Sequence, residues 1–516
     1  MPLPQAGVPT DTLPAPLVTP TIMSPVAGPT DTPGPEPSPI ASLTPTPAPT
    51  LTATPDVPLS AGGPGLVFSA AARPSRDEWS FGLYAVNPDG TGLTQLVGQP
   101  VLPFYGAEQA VSPQGRQFAF ITSSDPFGAG ELVLNILTLP GGEIRPVAAL
   151  TPEGYTAGRR DSEPAYAQAM ASIEQQTAAW TPRGTHLAFL SAHEGPSADL
   201  YLYGLYTRQV TRLSDEPGQA VAPVWSPDGK YLAFGVVDEF GVRRRSHVDE
   251  IWVAWTGGGG TRPLIELTVD AAEGGLFNET IVGWSGPQTL VVAAWDDAAP
   301  PACGRTRLRE VDVLTGERRA LWQGTFQHAA LDAGSGAILV VASNAVPGCA
   351  GESGLFLLRP RRTAEATRIG DLPGPAQSAV WSAAQGAFTV AIGEYGQPTT
   401  QLLTVSLTGE ISAETVAPGL YLSRSPGGDL TAWYGSQPEE VAGLWVGPTG
   451  GLPEPVFGGP VSAVTWSPDG QSLFFFRPPG VSGYSVYVAR QPGFIPVPLT
   501  EHMLPGSFVW VPGSAH

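Results

Sequence analysis

The stretches VWSPDGKYLAFGVV (224–237) and TWSPDGQSLFFF (465–476) carry one pattern at two distant places in the chain. Each reads as a short apolar strand, a tight turn and a second strand rich in β-branched and aromatic residues. In the Ser-Pro-Asp-Gly turn, proline presets φ, the aspartate side chain bonds the backbone just ahead, and glycine takes the positive φ. The pattern therefore predicts a β-hairpin that recurs along the chain.

Weaker copies of this hairpin recur from residue 65 onward, most of them about 42 to 50 residues apart. They are AVSPQGRQFAFIT (110–122), AWTPRGTHLAFLS (179–191), VGWSGPQTLVVAAW (282–295), ALDAGSGAILVVAS (330–343), VWSAAQGAFTVAIG (380–393) and LSRSPGGDLTAWYG (422–435). Two further β-rich segments follow the hairpins. Four antiparallel strands per repeat of this length form the blade of a β-propeller.

The W-S-P-D-G-x-x-L-x-F pattern resembles the WD40-like PD40 repeat of TolB-type propellers, which also occurs in the propellers of prolyl-oligopeptidase-type enzymes. The resemblance covers everything after the N-terminal tail and implies that residues 63–516 form one propeller. The sequence departs from TolB in two ways. It lacks the separate α/β N-terminal domain, and it carries more repeats than the usual six blades.

The two ends of the repeat region complement each other. FVWVPG (508–513) repeats the register of VWSPDG, with Trp510 in the position of Trp225, and 65–100 supplies three strands with no inner strand before them. We expect the C-terminal strand to complete the N-terminal blade and so remove a free sheet edge. The prediction is an all-β, single closed propeller of about nine four-stranded blades. Eight is the alternative if the unit around Asp332 is irregular.

Five tryptophans, Trp180, Trp225, Trp284, Trp381 and Trp466, end the inner strands. A large ring at this position buries area between neighbouring sheets, so we predict inter-blade packing rather than a sugar-stacking ring. By the same reasoning, the aspartates of the Ser-Pro-Asp-Gly turns belong to the turns and not to a metal site.

Residues 1–62 form a region of different composition. The first sixty residues contain 17 prolines and 11 threonines but no lysine or arginine. Such a sequence cannot bury enough apolar area to offset ordering, which predicts a disordered stalk or linker. Pro/Thr stalks hold domains away from a wall or membrane, which favours an extracytoplasmic, surface-tethered protein. The start MPLPQAGVPT lacks a basic and an apolar signal region, so we expect a signal upstream or already removed. A leader without a role and a cytoplasmic protein are the alternatives.

Composition excludes several functions. The chain of 516 residues has 46 acidic and 26 basic residues, a net charge of −20, which argues against binding nucleic acid or anionic lipid. It contains no apolar run of the roughly 20 residues that a membrane span needs. The motifs G-x-S-x-G, G-x-G-x-x-G, P-loop, H-E-x-x-H and clustered cysteines are also missing from the sequence. We therefore predict no cofactor, no metal and no catalytic residue.

The connections after the second and fourth strands vary in length and emerge on one side, the variable face. The short turns after the first and third strands form the opposite turn face. The largest insertion, 151–176, follows a fourth strand, and its segment DSEPAYAQAMASIEQQ predicts a helix with an apolar stripe of Tyr166, Met170 and Ile173. This helix either covers the open end of the propeller or docks a partner. Binding residues concentrate on elaborated loops of this kind.

Six basic residues on the variable face are candidate ligand-binding residues: Arg159, Arg160, Arg243, Arg244, Arg245 and His247. Clustered guanidinium groups bind carboxylate, sulfate or phosphate. The alternative is a solvated loop whose charge is balanced by the acidic residues beside it. Four histidines lie in or next to variable-face connections: His193, His247, His328 and His502. They suggest a metal site of the propeller-lyase kind, although scattered histidines are more often structural.

Cys303 and Cys349 are the only cysteines, and they lie one repeat apart. Each occupies the connection after the second strand of its own unit, so the two loops rise side by side on adjacent blades. We predict a disulfide between them, which implies an oxidising compartment. Two unrelated free thiols are the alternative.

Three functions remain after these exclusions. The first is a non-enzymatic, surface-tethered propeller that binds a protein or glycan partner through its variable face. The second is an enzyme resembling the propeller lyases, acting on an acidic polysaccharide through the histidines and arginines. The third is a cytoplasmic scaffold, which a stalk and a surface disulfide would both contradict.

Overall fold

The computed structural model describes part of the chain. Described are Leu59 and residues 65–512 except 73–79, 105–106, 126–129, 157, 159–161, 177, 216–217, 238–249, 258–259, 267, 271–274, 297–304, 343–351, 361–365, 394–400, 416–420, 437–441, 450, 479–483 and 502. The predicted stalk therefore lies outside the described residues, apart from Leu59. That residue is half-buried and packs against the largest apolar cluster of the propeller.

Nine antiparallel sheets follow one another along the chain and are called blades 1 to 9. Blade 1 contains β1 (Gly65–Ala72), β2 (Ser80–Val86) and β3 (Thr94–Val97). The short helix α1 (Ala107–Ala110) precedes blade 2, which contains β4 (Gln117–Ser123), β5 (Leu132–Thr138) and β6 (Glu143–Ala149). Helix α2 (Pro164–Gln175) precedes blade 3, which contains β7 (Ala179–Trp180), β8 (His186–Ser191), β9 (Asp199–Gly204) and β10 (Val210–Arg212).

The next three blades lie consecutively in the chain. Blade 4 contains β11 (Gln219–Trp225), β12 (Tyr231–Val237), β13 (Glu250–Trp255) and β14 (Gly260–Glu266). Blade 5 contains β15 (Thr268–Asp270), β16 (Gly275–Trp284), β17 (Thr289–Asp296), β18 (Arg305–Asp312) and β19 (Arg318–Phe326). Blade 6 contains β20 (His328–Leu331), β21 (Ile338–Ala342), β22 (Gly354–Leu358) and β23 (Thr367–Gly370).

The last three blades lead back to the first. Blade 7 contains β24 (Ala376–Ser382), β25 (Ala387–Ile392), β26 (Gln401–Ser406) and β27 (Ile411–Thr415). Blade 8 contains β28 (Tyr421–Arg424), β29 (Leu430–Gly435), β30 (Gly443–Pro448) and β31 (Glu454–Gly458). Blade 9 contains β32 (Ala463–Trp466), β33 (Ser472–Phe476), β34 (Tyr484–Arg490) and β35 (Ile495–Glu501). The final strand is β36 (Met503–Val511).

The ring closes as the sequence predicts. Strand β36 pairs antiparallel with β1, with Gly65 opposite Val511 and Phe68 opposite Phe508, so the order in blade 1 is β3-β2-β1-β36. The first and last parts of the chain thus share one sheet, and no free edge is left on the inner side of β1. The prediction of a closed nine-bladed all-β propeller is confirmed.

The degenerate unit around Asp332 is a regular blade. Asp332 stands where the other units carry serine, and its carboxylate accepts hydrogen bonds from the backbone N–H of Gly334 (2.9 Å) and of Ser335 (3.1 Å). It therefore closes the turn between β20 and β21 as the serine hydroxyl does elsewhere. The eight-bladed alternative is excluded.

Two blades depart from four strands. In blade 2 the inner strand is reduced to two isolated bridges, Val101 with Thr122 and Val111 with Phe118, because the helical turn α1 lies between them. In blade 5 the short strand β15 pairs with the first residues of β16 and adds a fifth strand on the inner side. The sequence did not predict either feature.

Each Ser-Pro-Asp-Gly turn is a closed hydrogen-bonding unit. In blade 4, the fully buried Ser226 hydroxyl accepts from the Tyr231 N–H (3.0 Å) and donates to Asp228 (2.8 Å), while Gly229 has φ +72°. Burial alone would raise the pKa of Asp228, but hydrogen bonds from Ser226 and from the Lys230 backbone hold it below its usual value. The predicted role of these aspartates in the turn is confirmed.

Tryptophans join consecutive blades. The indole N–H of Trp225 donates to the backbone carbonyl of Ala179 in the preceding inner strand (2.9 Å). The same bond recurs from Trp180 to Ala110 (2.9 Å), from Trp284 to Val224 (3.0 Å) and from Trp466 to Ser423 (3.2 Å). The predicted inter-blade packing is confirmed for these four tryptophans, and it includes a hydrogen bond that satisfies the buried indole. The fifth, Trp381, is half-buried beside Phe388 and packs against the apolar cluster of blades 6 and 7.

The core consists of apolar layers between neighbouring blades. The layer that closes the ring joins blade 9 to blade 1, where the Phe474 ring meets Trp510 edge-on (5.2 Å) and Phe476 stacks on Phe508 (4.9 Å). Second strands are buried along their whole length because a blade covers each of their two faces, as in β21 and β33.

Candidate functional site

The two faces of the ring differ in construction. On the turn face, the turns after first and third strands are short, and adjacent turns pack together: Gln114 donates to the carbonyl of Arg183 in the next blade (2.9 Å). Strands β4, β12, β17 and β21, which precede the long connections, end on the variable face, as does β6 before the insertion that contains α2. Strand β1 begins beside the end of β36, so the chain enters the propeller on the turn face.

Helix α2 in the 151–176 insertion confirms the predicted helix. It begins after Glu163, with Pro164 in its first turn, and its stripe of Tyr166, Met170 and Ile173 is buried in the core cluster of blades 1 to 4. The Ser172 hydroxyl donates to the Ala220 carbonyl at the variable-face end of β11. The apolar stripe therefore covers the inner strands and leaves only the polar side of the helix for a partner.

The strongest described charge cluster on the variable face lies in blade 3. Arg212, at the end of β10, contacts three carboxylates: Asp199 at 2.6 Å, Asp215 at 2.5 Å and Glu194 at 3.3 Å. Asp199 is buried, whereas Asp215 is 83% exposed and Glu194 49% exposed. Because three carboxylates share one guanidinium, the cluster has an excess of negative charge facing solvent.

Burial controls the ionisation within this cluster. Burial raises the pKa of Asp199, and the adjacent Arg212 guanidinium offsets only part of that effect. Burial also raises the pKa of Tyr201, and the negative charge of Glu194 adds to the increase. The ring of His193 lies against Tyr201 at 5.2 Å. The buried part of the cluster, Asp199 and Tyr201, is thus partly dehydrated, whereas Asp215 and Glu194 face solvent.

A serine, a histidine and a carboxylate lie in line beside this cluster. His193 Nδ1 is 2.9 Å from the Ser191 hydroxyl, and His193 Nε2 is 3.4 Å from Glu194. Ser191 is fully buried at the end of β8, and its hydroxyl donates to the Ala149 carbonyl (3.1 Å). A nucleophile must reach a substrate carbonyl, so this serine is structural.

The sequence did not reveal the blade 3 cluster. The only local signal was Asp199, at the start of the apolar third strand in ADLYLYGL. A buried carboxylate needs a charged or hydrogen-bonding partner, so this position predicts one nearby. Its partner Arg212 lies on the neighbouring strand β10, opposite Tyr201, and nothing in the sequence pairs the two.

The predicted ligand-binding residues Arg159, Arg160, Arg243, Arg244, Arg245 and His247 all lie outside the described residues. His502 lies outside them too. His186 starts β8, and His328 starts β20, where its Nε2 is 3.1 Å from the Ala376 carbonyl. Within the described part of the chain, no three His, Cys, Asp or Glu side chains are grouped to hold a metal ion.

Cys303 and Cys349 also lie outside the described residues, and their disulfide stays a prediction. The strands that flank them place both connections on the variable face of the consecutive blades 5 and 6. We expect mass spectrometry of the non-reduced protein to find the two cysteines joined. Reduction should then cost about 3 to 4 kcal/mol of stability, because the bridge closes a long loop.

The double variant Cys303→Ser/Cys349→Ser is the control for this experiment. It should match the reduced wild-type protein in stability and should not respond to reductant. Two freely alkylated cysteines in freshly purified secreted material would contradict both the bridge and the oxidising compartment inferred from it.

No protein-family model matches the chain. Among curated proteins, it is 41% identical over 53 residues to the uncharacterized peptidase YuxL of Bacillus subtilis (strain 168). That match covers 10% of this chain and 8% of the length of that protein. Among the described residues, no helix is both long and apolar enough to cross a membrane.

Several solved structures are similar to this chain. Dipeptidyl peptidase 4 of Porphyromonas gingivalis is 13% identical with a TM-score of 0.47, over 78% of this chain and 59% of that one. Oligogalacturonate lyase of Vibrio parahaemolyticus is 12% identical with a TM-score of 0.42, over 84% and 99%. TolB of Acinetobacter baumannii is 15% identical with a TM-score of 0.28, over 57% and 60%. These likenesses concern the fold alone, and the nine blades rest on the strand pairing described above.

Proposed function

We propose that this chain is a non-enzymatic, extracytoplasmic propeller of the PD40 type that binds a protein or glycan partner through its variable face. In this proposal residues 1–62 tether it to the surface. The observation that carries the proposal is the difference between the two faces. The turn face is held by repeated short turns and inter-blade bonds, while the variable face carries the long connections, helix α2 and the blade 3 cluster.

The direction of the chain supports the same reading. The polypeptide enters β1 on the turn face, at the opposite end of the strands from the long connections. A rigid scaffold with elaborated loops on one face suits recognition of a partner. The Pro/Thr composition of the tether and the predicted disulfide support a location outside the cytoplasm.

Charge reversal on each face separately tests the proposal. The full chain, immobilised through its N-terminus, is probed on a glycan array and against a set of purified envelope proteins. The variable-face variant Glu153→Lys/Asp215→Lys changes two exposed carboxylates; it breaks the ion pair between Asp215 and Arg212 but keeps the buried carboxylate Asp199 beside Arg212. We expect it to weaken binding by about tenfold or more.

The matched control is the turn-face variant Glu143→Lys/Glu410→Lys, which makes the same charge change at two exposed positions on the turn face. It should bind as the wild-type protein does. Loss of binding in this control rather than in the variable-face variant would reject the variable face as the binding surface. Cleavage of oligogalacturonate by the wild-type protein would reject the non-enzymatic reading and favour the lyase-like alternative.

A further inference from the structure

A cavity of about 360 Å³ opens on the turn face, at the seam between blades 4 and 5. Its floor is formed by Val253 and Val313, which are buried in the apolar layer between these two blades. Its walls include Trp255 from blade 4 and Leu314 from blade 5, each 50% exposed. The apolar layer between blades 4 and 5 therefore extends to the protein surface at this cavity.

The exposure of Trp255 sets it apart from the tryptophans that join the blades. Trp225 and Trp284 are at most 9% exposed and donate their indole N–H to a neighbouring blade. Trp255 ends β13, and a Cβ built on Gly257 would lie 3.0 Å from its ring, so the following turn supports the indole closely. The result is a supported aromatic surface that is open to solvent on the cavity side.

The other wall is fixed by hydrogen bonds. Arg262 reaches across the seam, and its Nη2 donates to the carbonyls of Val313 and Leu314, the latter at 3.0 Å. The Asp312 carboxylate accepts from the N–H of Leu314 (2.9 Å) and of Thr315 (2.8 Å), which holds the turn that carries Leu314. A cavity with walls already in place loses little conformational freedom when a ligand enters.

The charges around the cavity are paired. Lys230, the only lysine of the chain, lies 3.3 Å from Asp228. The negative charge of Asp312 opposes the positive charge of Arg262. The hydrogen bond from the Thr315 N–H is the main cause that holds the pKa of Asp312 below its usual value, and the charge of Arg262 also lowers it. A protein of net charge −20 repels an acidic ligand. A cationic ligand would have to compete for Asp228, which is paired with Lys230, and for Asp312, which accepts backbone hydrogen bonds. The cavity therefore favours an uncharged ligand.

The polar groups at the rim narrow the ligand class further. The Thr261 hydroxyl and the Arg262 guanidinium lie among the lining residues beside the apolar surfaces of Trp255 and Leu314. A ligand that fits has apolar faces for these surfaces and hydroxyl groups at its edge for the rim. The volume lies within the range of small-ligand sites, about 300 to 1,000 Å³. We propose that this cavity binds a sugar unit of a neutral polysaccharide.

The proposed sugar site is separate from the proposed partner surface, because the two lie on opposite faces of the ring. A sugar bound here would leave the variable face free for its partner. The two proposals can therefore fail independently.

Calorimetry with defined neutral tetrasaccharides tests the site. Cellotetraose, maltotetraose and tetra-N-acetylchitotetraose are titrated into the full chain, with tetragalacturonate as the charged comparison. We expect at least one neutral tetrasaccharide to bind and tetragalacturonate not to bind. Trp255→Ala should weaken binding by about tenfold or more, and Trp255→Phe should retain part of it because a ring remains.

Two control variants make the result specific. Tyr206→Ala removes an aromatic ring that is 82% exposed at the equivalent turn of blade 3, and it should leave binding unchanged. The variable-face variant Glu153→Lys/Asp215→Lys should also leave it unchanged. The proposal is overturned if none of the three neutral tetrasaccharides binds at about 10 mM. It is equally overturned if tetragalacturonate binds more tightly, or if Trp255→Ala with an unchanged melting temperature binds like the wild-type protein.

Discussion

A chain that ends before β36 should aggregate or lose most of its stability. Removing residues 503–516 takes the innermost strand from blade 1 and exposes the edge of β1. It also removes the buried Val509 and Val511 and the rings that pack on Phe474 and Phe476. Each fully buried side chain of this kind contributes about 1.5 to 3 kcal/mol, so the loss is comparable with the whole stability of a typical domain.

The matched control for this truncation is a chain ending at Pro512, which keeps β36 entire. It should remain monomeric with an unchanged melting temperature. Light scattering after size-exclusion chromatography and thermal unfolding followed by circular dichroism measure both variants. A truncated protein that stays monomeric and melts at the wild-type temperature would mean that β36 does not hold the ring closed.

Trp225→Ala should destabilise the protein by about 3 to 5 kcal/mol. Trp225 is buried between blades 3 and 4, and its N–H satisfies the Ala179 carbonyl, so truncation leaves both a cavity and a lost hydrogen bond. Trp225→Phe keeps most of the ring and should cost less, which separates packing from the hydrogen bond. Denaturant unfolding measures the three proteins.

Trp255→Ala is the control for this series, because the same residue type is lost from the same blade at a half-exposed position. Its free energy of unfolding should change by less than about 1 kcal/mol. Equal midpoints for the two alanine variants would show that the joining tryptophans do not stabilise the contact between blades.

The ring was predictable from sequence because one local signal repeats. The turn at Ser226 combines proline, aspartate and a positive-φ glycine, and each of these acts within five residues of the others. Even Asp332 keeps that local chemistry with a different side chain. The partner of β1 was also predictable. The N-terminal blade lacked an inner strand, and the C-terminal segment supplied an inner strand with no blade of its own.

The features that the sequence did not predict depend on contacts between distant segments. The reduced inner strand of blade 2 accompanies α1 and the docking of α2: Gln176, directly after α2, donates to Gln109 beside it (2.8 Å). The cavity at Trp255 needs blade 5 beside blade 4, because Arg262 and Leu314 meet only across that seam. Neither Trp255 nor Arg262 belongs to a motif, so no pattern in the sequence distinguished them.

Ring closure also determines the order of events during synthesis. Ser507 donates its N–H to the Ser69 hydroxyl at 3.0 Å, across 438 residues of chain. At about 5 to 20 residues per second, β1 leaves the ribosome about 20 to 90 s before the strand that covers its inner edge. During that interval the nascent chain presents an unpaired strand with apolar side chains, the kind of edge that recruits other chains. Protection of the nascent chain until translation ends is therefore a requirement of this topology.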